Sequence, residues 1–351
     1  MATLPHLTKK EQERLTVITD CLLRKITKSQ AATILGISTR QVKRLKSRMR
    51  KEGALTVIHQ LKGKKGNHHI ESEIKERALT VIAEKYVDFK PTFATEKLEE
   101  HHDIHISRET IRRWMIKEGL WKPRKQHRSA YHSWRPRKEY FGELVQFDGS
   151  YHLWFENRFV DEEGKPIEAC LLAAIDDATG QITKAEFAQN EGVHAVFTFW
   201  KGYVKEIGKP VGIYLDAFST YKINHKNAVD NKDLMTQFER AGRELGIRLI
   251  TAHSPQAKGR VEKLFGTLQD RLSKEMRLAN INTPYAGNIF LKEIFLPKFN
   301  RKFAVIPAKD GNVHKALLEI DKKNLNRIFS VQSRRRVNND FTIQFKNNWY
   351  Q

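Results

Sequence analysis

Apolar residues recur at helical spacing through most of the first 120 positions, and the period changes after residue 141. In EQERLTVITDCLLRK, Leu15, Ile18, Leu22 and Leu23 share one face, the mark of an amphipathic helix. TKSQAATIL predicts a second helix, stopped by Gly36. Ser38 is placed to cap a third, STRQVKRLKSRMRKEG, in which Val42, Leu45 and Met49 repeat at helical spacing. A short helix, a tight glycine turn and a longer helix make the helix-turn-helix pattern. The plan returns in ESEIKERALTVIAEKY, PTFATEKLEEHH and ISRETIRRWMIKEG, where Ser107 opens the last helix and Ile111, Trp114 and Met115 form its core face.

Beyond 141, Leu144, Gln146 and Asp148 alternate with apolar neighbours and share one face of a strand. IEACLLAAID is nearly all apolar, as a strand buried on both sides would be. ITKAEFA follows through a turn at Asp177-Ala178-Thr179-Gly180. HAVFTFWKGYVKEIG is a helix, VGIYLD a strand, DLMTQFERAGRELG a helix, IRLITAH a strand and RVEKLFGTLQDRLSKEMR a helix. The order β-β-β-α-β-α-β-α predicts a mixed five-stranded sheet covered by helices. At the C-terminal end, FTIQFKNNWYQ predicts a strand.

These patterns divide the chain into a first helix-turn-helix unit (1–60), a second helical unit of the same kind (70–120), a linker (121–140), an α/β core (141–280) and a C-terminal region with β character (283–351). The 351 residues suffice for several domains. No apolar run nears the roughly 18–20 residues of a spanning helix, and the N-terminus lacks a signal-peptide core. The two cysteines, Cys21 and Cys170, are too far apart for a zinc pair and fit buried thiols of a reducing, cytoplasmic compartment. The adjacent histidines, His68-His69 and His101-His102, point different ways along any regular element and read as solvated groups.

Charge sharpens the picture. Lys and Arg number 63 against 41 Asp and Glu, a net +22, so a polyanion such as double-stranded DNA is the expected partner and a membrane surface the weaker candidate. Seven basic residues and no acid lie between Ser38 and Lys51, among them Arg40, Lys43, Arg44 and Lys46. The second unit ends on a helix with Arg108, Arg112 and Arg113. The linker carries seven basic residues, including Arg124, Lys125, Arg135 and Arg137, interleaved with Trp121, Tyr131, Trp134 and Tyr140. An arm that tracks phosphates while its aromatics pack or stack is the expectation there.

Three acids stand in contexts that suit a metal-bound carboxylate. Asp148 lies on the first strand. Asp216 ends a later strand, where open α/β sheets bind ligands. Glu262 lies in the first turn of the last helix, at the edge of the stripe Val261, Leu264, Phe265, Leu268, Leu272 and Met276. Carboxylates are the ligands that hard cations such as Mg²⁺ prefer. Asp176 and Asp177, which read as a turn, and Asp230 and Asp233, in a polar segment, are rival ligands.

QFDGSYHLWF, YLDAFSTY and HSPQAKGRVEKLFGTLQDRL resemble the three signature segments of DDE transposases in the retroviral-integrase superfamily, most nearly the bacterial insertion-sequence transposases of the ISNCY type. The resemblance implies a ribonuclease-H-like core, with Asp148, Asp216 and Glu262 as a catalytic triad holding two Mg²⁺, for which Mn²⁺ can substitute. It implies binding of a mobile element's ends and target DNA, 3′-end cleavage and strand transfer, and a homodimer or higher oligomer in the synaptic complex. The 45 residues between Asp216 and Glu262 exceed the spacing of the best-known members and predict an insertion around NHKNAVDNKD. Many relatives carry a basic residue seven positions after the glutamate; Gln269 stands there, so its DNA contact passes to Lys258, Lys263 or Arg271, and Arg260 beside them is a further DNA-binding candidate. The His-His-Cys-Cys zinc unit of retroviral integrases is absent, and a small C-terminal β-barrel is expected from about 283. A nuclease on the same fold and a non-catalytic helix-turn-helix regulator are the competing readings.

Overall fold

The computed structural model describes residues 7–59, 70–123, 135–216, 231–252, 259–345 and 347–351, without the side chains at 216, 231–236, 251 and 252. The chain divides into two units, Met1–Lys122 and Pro123–Gln351.

The first unit opens with α1 (Lys9–Leu22), where Thr8 and Glu11 form a capping box. α2 (Lys28–Leu35) has the same device in Thr27 and Gln30, and Gly36 ends it at φ 61°, in the left-handed region that glycine adopts without a Cβ penalty. The Ile37 amide then returns to Ala32 O at 3.0 Å, and Ser38 caps α3 (Thr39–Glu52) through the Gln41 amide. Val17, Ile18, Cys21, Ala31, Ala32 and Val42 make the core, with Leu45 and Met49 packed against it. The core face of α1 is therefore rotated from the one expected: Leu23 caps the helix and is 61% exposed.

α4 (Ser72–Lys85), α5 (Pro91–His102) and α6 (Arg108–Lys117) build the second core around Ala78, Ile82, Phe93, Leu98, Ile111 and Met115. Asp103 ends α5 at φ 53° and the Ile104 amide returns to Leu98 O at 3.1 Å, repeating the Gly36–Ile37 turn before the Ser107 cap.

In the second unit, β1 (Val145–His152), β2 (Ala169–Asp176) and β3 (Ile182–Ala188) form an antiparallel meander. β4 (Gly212–Asp216) pairs parallel with β1, and β5 (Arg248–Ala252) parallel with β4. The order β3-β2-β1-β4-β5 is the mixed five-stranded sheet expected. All of β2 is buried because helices cover both faces. α7 (Val193–Glu206) and α8 (Asn231–Leu245) pack on Val145, Phe147, Leu172, Ile213 and Leu215. α9 (Gly259–Leu278) packs its apolar stripe on Leu171, Ala173 and Ile175. The insertion expected between β4 and α8 falls largely on 217–230, outside the described residues.

The fold does not close at residue 280. α10 (Pro284–Phe290), a five-residue π-helical turn and α11 (Leu296–Phe303) add Phe290, Leu291, Phe295 and Phe299 to the α9 core. Their asparagines cover the outer edge of β3, whose unpaired backbone would otherwise invite another strand. Asn288 exchanges bonds with Phe187 N and O at 2.6 and 3.1 Å, and Asn300 with Ile182 N and O at 2.9 Å each. α12 (Glu319–Ile328) adds Leu325 and Ile328 to the other core. The β character expected of this region is confined to a hairpin, β6 (Ile343–Phe345) and β7 (Asn348–Tyr350), rather than one strand. Asn347, at φ 64°, supplies the left-handed turn residue.

The segment between α11 and α12 straps the entry to the sheet. Val305, Lys309 and Val313 amides donate to Thr179, Glu139 and Phe141 carbonyls. His314 lies against Gly142, whose φ of 84° and lack of a side chain make the approach possible: a Cβ there would stand 2.2 Å from His314 Nδ1. Burial pushes the His314 imidazole down to about 4. As the neutral ring it has Asn312 Oδ1 at 2.6 Å from Nδ1 and Tyr203 Oη at 3.0 Å from Nε2. Between that value and the ordinary 6.5, the unfolded chain binds the proton and the folded chain does not. Stability should therefore fall as pH drops from about 6.5 to about 4. Urea unfolding at both ends of this window should show a shallower acid decline for His314→Gln than for wild type.

Candidate functional site

On α3, Val42, Leu45 and Met49 face the core, so Arg40, Arg44, Ser47 and Lys51, spaced four, three and four apart, form the opposite, exposed stripe. Lys43 is exposed beside them. Lys46 is not part of that surface: its Nζ donates to Cys21 O at 2.6 Å and ties α3 to the end of α1. α6 presents Arg108, Arg112 and Arg113 around an acid. Glu109 takes Arg112 Nε and Nη2 at 2.8 and 3.0 Å and Arg113 Nε at 3.1 Å, and these hydrogen bonds hold its carboxyl down at about 2.

Arg124 and Lys125 of the linker lie outside the described residues, as do Tyr131, Trp134 and Lys258. Trp121 and Tyr140 do not stack freely: Trp121 packs on the α4–α6 core, and Lys309 Nζ lies 5.5 Å from the Tyr140 ring centre. Arg135, Arg137 and Arg260, expected on DNA, bond within the fold, although Arg135 and Arg137 stay exposed. Arg137 donates to Asp177 O and Ala178 O at 3.3 and 3.4 Å, while Arg135 and Arg260 both grip the Asp177 carboxylate. Arg271, proposed from sequence as a substitute DNA contact, places its guanidinium 5.0 Å from the Phe303 ring centre, whereas Lys263 is exposed.

The three acids come from β1, β4 and α9. β1 and β4 pair as Val145 with Ile213 and Gln146 with Tyr214, so the register carried two residues further sets backbone position 216 beside 148. Val145, Phe147, Ile213 and Leu215 point into the α7–α8 core, so positions 148 and 216 fall on the α9 face. Asp148 is half-buried there; the β4 backbone is described through Asp216, whose side chain is not. α9 is pinned along this face at two points. Arg260 shares the Asp177 carboxylate with Gln146 Nε2, and Gln269 Nε2 reaches Ser150 Oγ at 3.4 Å. Gln146 and Ser150 flank Asp148 on its own face. Glu262 lies between the two pins, exposed, and two turns before Gln269 on nearly the same helix face. Gln269 is thus a contact between helix and sheet.

Among the described residues, no group of three or more His, Cys, Asp or Glu side chains is gathered to hold a metal ion; Asp216 lies outside that comparison. Asp176 and Asp177, rival ligands in the sequence, are fully buried and already satisfied. Asp176 accepts from Gly142 N, Thr179 N and Thr179 Oγ1, each at 2.8 Å, and burial raises its carboxyl. Burial also pushes Asp177 up, but the Lys138 amide and the Arg135 and Arg260 guanidiniums outweigh it and leave its carboxyl lowered. Asp230 and the Asp233 side chain are outside the described residues. Cys21 and Cys170 are free and buried, as expected, and burial drives the Cys170 thiol up to about 12. The Asp177 node escaped the sequence reading. Its signal was an acid pair directly after a strand buried on both faces, which has to find cations inside the fold.

A homeodomain-like domain model matches residues 8–56, the helix-turn-helix of α1–α3. The chain is 39% identical to y4bF of Sinorhizobium fredii, which bears the name of a transposase, over 97% of this chain and 72% of that one. It is 31% identical to the transposase for insertion sequence IS1202 of Streptococcus pneumoniae, over 93% of this chain and 74% of that one. A simian T-cell lymphotropic virus intasome, solved in complex with PP2A regulatory subunit B56 gamma, matches 64% of this chain and 76% of that one at 16% identity and a TM-score of 0.35, too distant to bear on function. The chain belongs to the family of transposases that the first two relatives represent, and its N-terminus is a DNA-binding helix-turn-helix. No helix among the described residues is long and apolar enough to cross a membrane.

Proposed function

We propose that this transposase binds the terminal inverted repeats of its element and catalyses metal-dependent 3′-end cleavage and strand transfer. The observation that supports this reading is the β1–β4 register: continued two residues past its last pair, it runs backbone positions 148 and 216 alongside each other on the sheet face that α9 covers, and Glu262 lies in the first turn of α9. The donor set fits a hard cation: it is all carboxylate, and Asp148 and Glu262 both keep solvent access. Asp148, Asp216 and Glu262 would hold two Mg²⁺, or Mn²⁺ in their place, supplying positive charge to the attacking and leaving oxygens.

The chain's own task is positioning. α3 and α6 set the element end in register, and the acid face of the sheet receives the scissile phosphate. Water attacks that phosphorus in line, its P–O bond forms as the bond to the 3′ oxygen breaks, and a proton goes to the freed 3′-hydroxyl. That hydroxyl then attacks a target phosphorus, losing its proton as the target's own 3′ oxygen leaves. Joining two ends requires at least a dimer. A hydrolytic nuclease would perform the first displacement alone; the site-selecting N-terminal units favour transfer.

The test is a labelled element-end duplex incubated with target plasmid, Mg²⁺ and protein, beside Asp148→Asn and Glu262→Gln. Joined products that vanish in both variants support the proposal. Cleavage without joining makes the protein a nuclease, and binding alone, unchanged in the variants, makes it a regulator.

A further inference from the structure

We propose that Asp177 is a positioning residue: a buried acid that locks the first turn of α9, and with it Glu262, to β1 and to the end of the linker. The inference rests on the reading of Glu262 as a ligand of the catalytic metal.

Three separate pieces of chain converge on this one fully buried carboxylate. From β1, Gln146 Nε2 donates to Oδ1 at 2.7 Å. From the linker's end, the Lys138 amide donates to Oδ2 at 2.9 Å and the Arg135 guanidinium to Oδ1. From α9, the Arg260 guanidinium also reaches Oδ1, and its other nitrogen donates to Arg135 O at 3.0 Å. The Asp177 amide is itself bonded to Leu144 O at 2.9 Å, so the node is fixed to the strand that carries Asp148. With three donors on Oδ1 and one on Oδ2 in a fully buried position, the carboxylate is committed to the fold and not presented to a metal at the surface.

The start of α9 needs such an anchor. It begins at Gly259, the poorest ordinary helix former, and its first turn has no intrahelical partner for its amides. Glu262 is in that turn and is exposed, so packing does not hold it. The apolar stripe seats the helix from Val261 onward. Arg260, one residue before it, holds the turn itself: a planar guanidinium gripped by a buried carboxylate and a carbonyl constrains both the rotation and the height of the turn. Since the same carboxylate holds Arg135, the end of the linker and the helix of Glu262 share one ion cluster built on a buried acid.

The experiment uses full-length wild type, Asp177→Asn, Arg260→Lys and Asp148→Asn. Hydrogen exchange without metal is read on the amides of 263–266, which bond the carbonyls of the first turn, and, for comparison, of 268–278. End joining is titrated with Mn²⁺, and duplex binding is measured by gel shift. Asp177→Asn is expected to lose protection at 263–266 while 268–278 stays protected. Its half-saturating Mn²⁺ should rise about 10–100-fold, the range for groups that orient metal ligands, with duplex binding unchanged. Arg260→Lys, which keeps the charge but not the fork, should fall between it and wild type, and it decides the matter by the same readouts if Asp177→Asn does not fold. Wild-type protection at 263–266 with unchanged Mn²⁺ dependence overturns the inference. Full activity in Asp148→Asn overturns the functional proposal instead, and the exchange data still decide the anchoring.

Discussion

Asp148→Asn should reduce strand transfer by more than about 100-fold while duplex binding stays within about twofold, a loss beyond that seen when a group merely orients a ligand. The substitution keeps shape and volume and removes one charge. β1 should survive it, since the strand is held by backbone pairing to β2 along all eight residues and by Val145 and Phe147 in the core. Glu262→Gln should behave the same way for a different reason: an exposed side chain in the first turn of α9 contributes nothing to the stripe that seats the helix. Joining and cleavage gels measure the first quantity, gel shift the second, and thermal unfolding confirms that both variants fold. Retained joining in either variant would remove that residue from the site. Loss of binding in parallel with joining would mean the acids act through the fold.

Much of this arrangement was legible in the chain because its signals are local. Gly36 followed by Ile37 and Ser38 spells out a turn and a cap within three residues. The α9 stripe fixed the phase of Glu262, and the alternation of Leu144, Gln146 and Asp148 fixed the face of the strand. What stayed hidden depends on distant partners. Arg135 and Arg260 meet Asp177 across 42 and 83 residues, and neither composition nor periodicity tells an arginine engaged by the fold from one left to solvent. The same ambiguity misassigned Lys46, whose target is a carbonyl at the end of another helix. α10 and α11 were set apart from the core because an edge strand's need for cover leaves no periodic trace. It is met by Asn288 and Asn300, two residues that look like ordinary polar positions.

Raising salt from about 50 to 200 mM should weaken duplex binding by about 10³–10⁵-fold if the basic stripes make six to ten phosphate contacts. The structure divides the basic residues of α3 by role, so their effects on the salt dependence should differ. Arg40 and Arg44 lie on the outward stripe, and each one that sits on a phosphate should lower the slope of log affinity against log salt by about 0.9 when changed to alanine. One that reads a base edge instead leaves the slope alone and costs about 1–3 kcal/mol on the cognate end only. Lys46→Met should leave both slope and specificity unchanged and lower the melting temperature of the first unit, because its ammonium serves the Cys21 carbonyl. Glu109→Gln should do the reverse. It frees Arg112 and Arg113 from an acid that now competes with phosphate, so affinity for any duplex should rise and the slope steepen. Titrations of cognate and scrambled duplexes at several salt concentrations separate these outcomes. An unchanged slope in Glu109→Gln would show that α6 does not face the DNA backbone, leaving α3 to carry recognition.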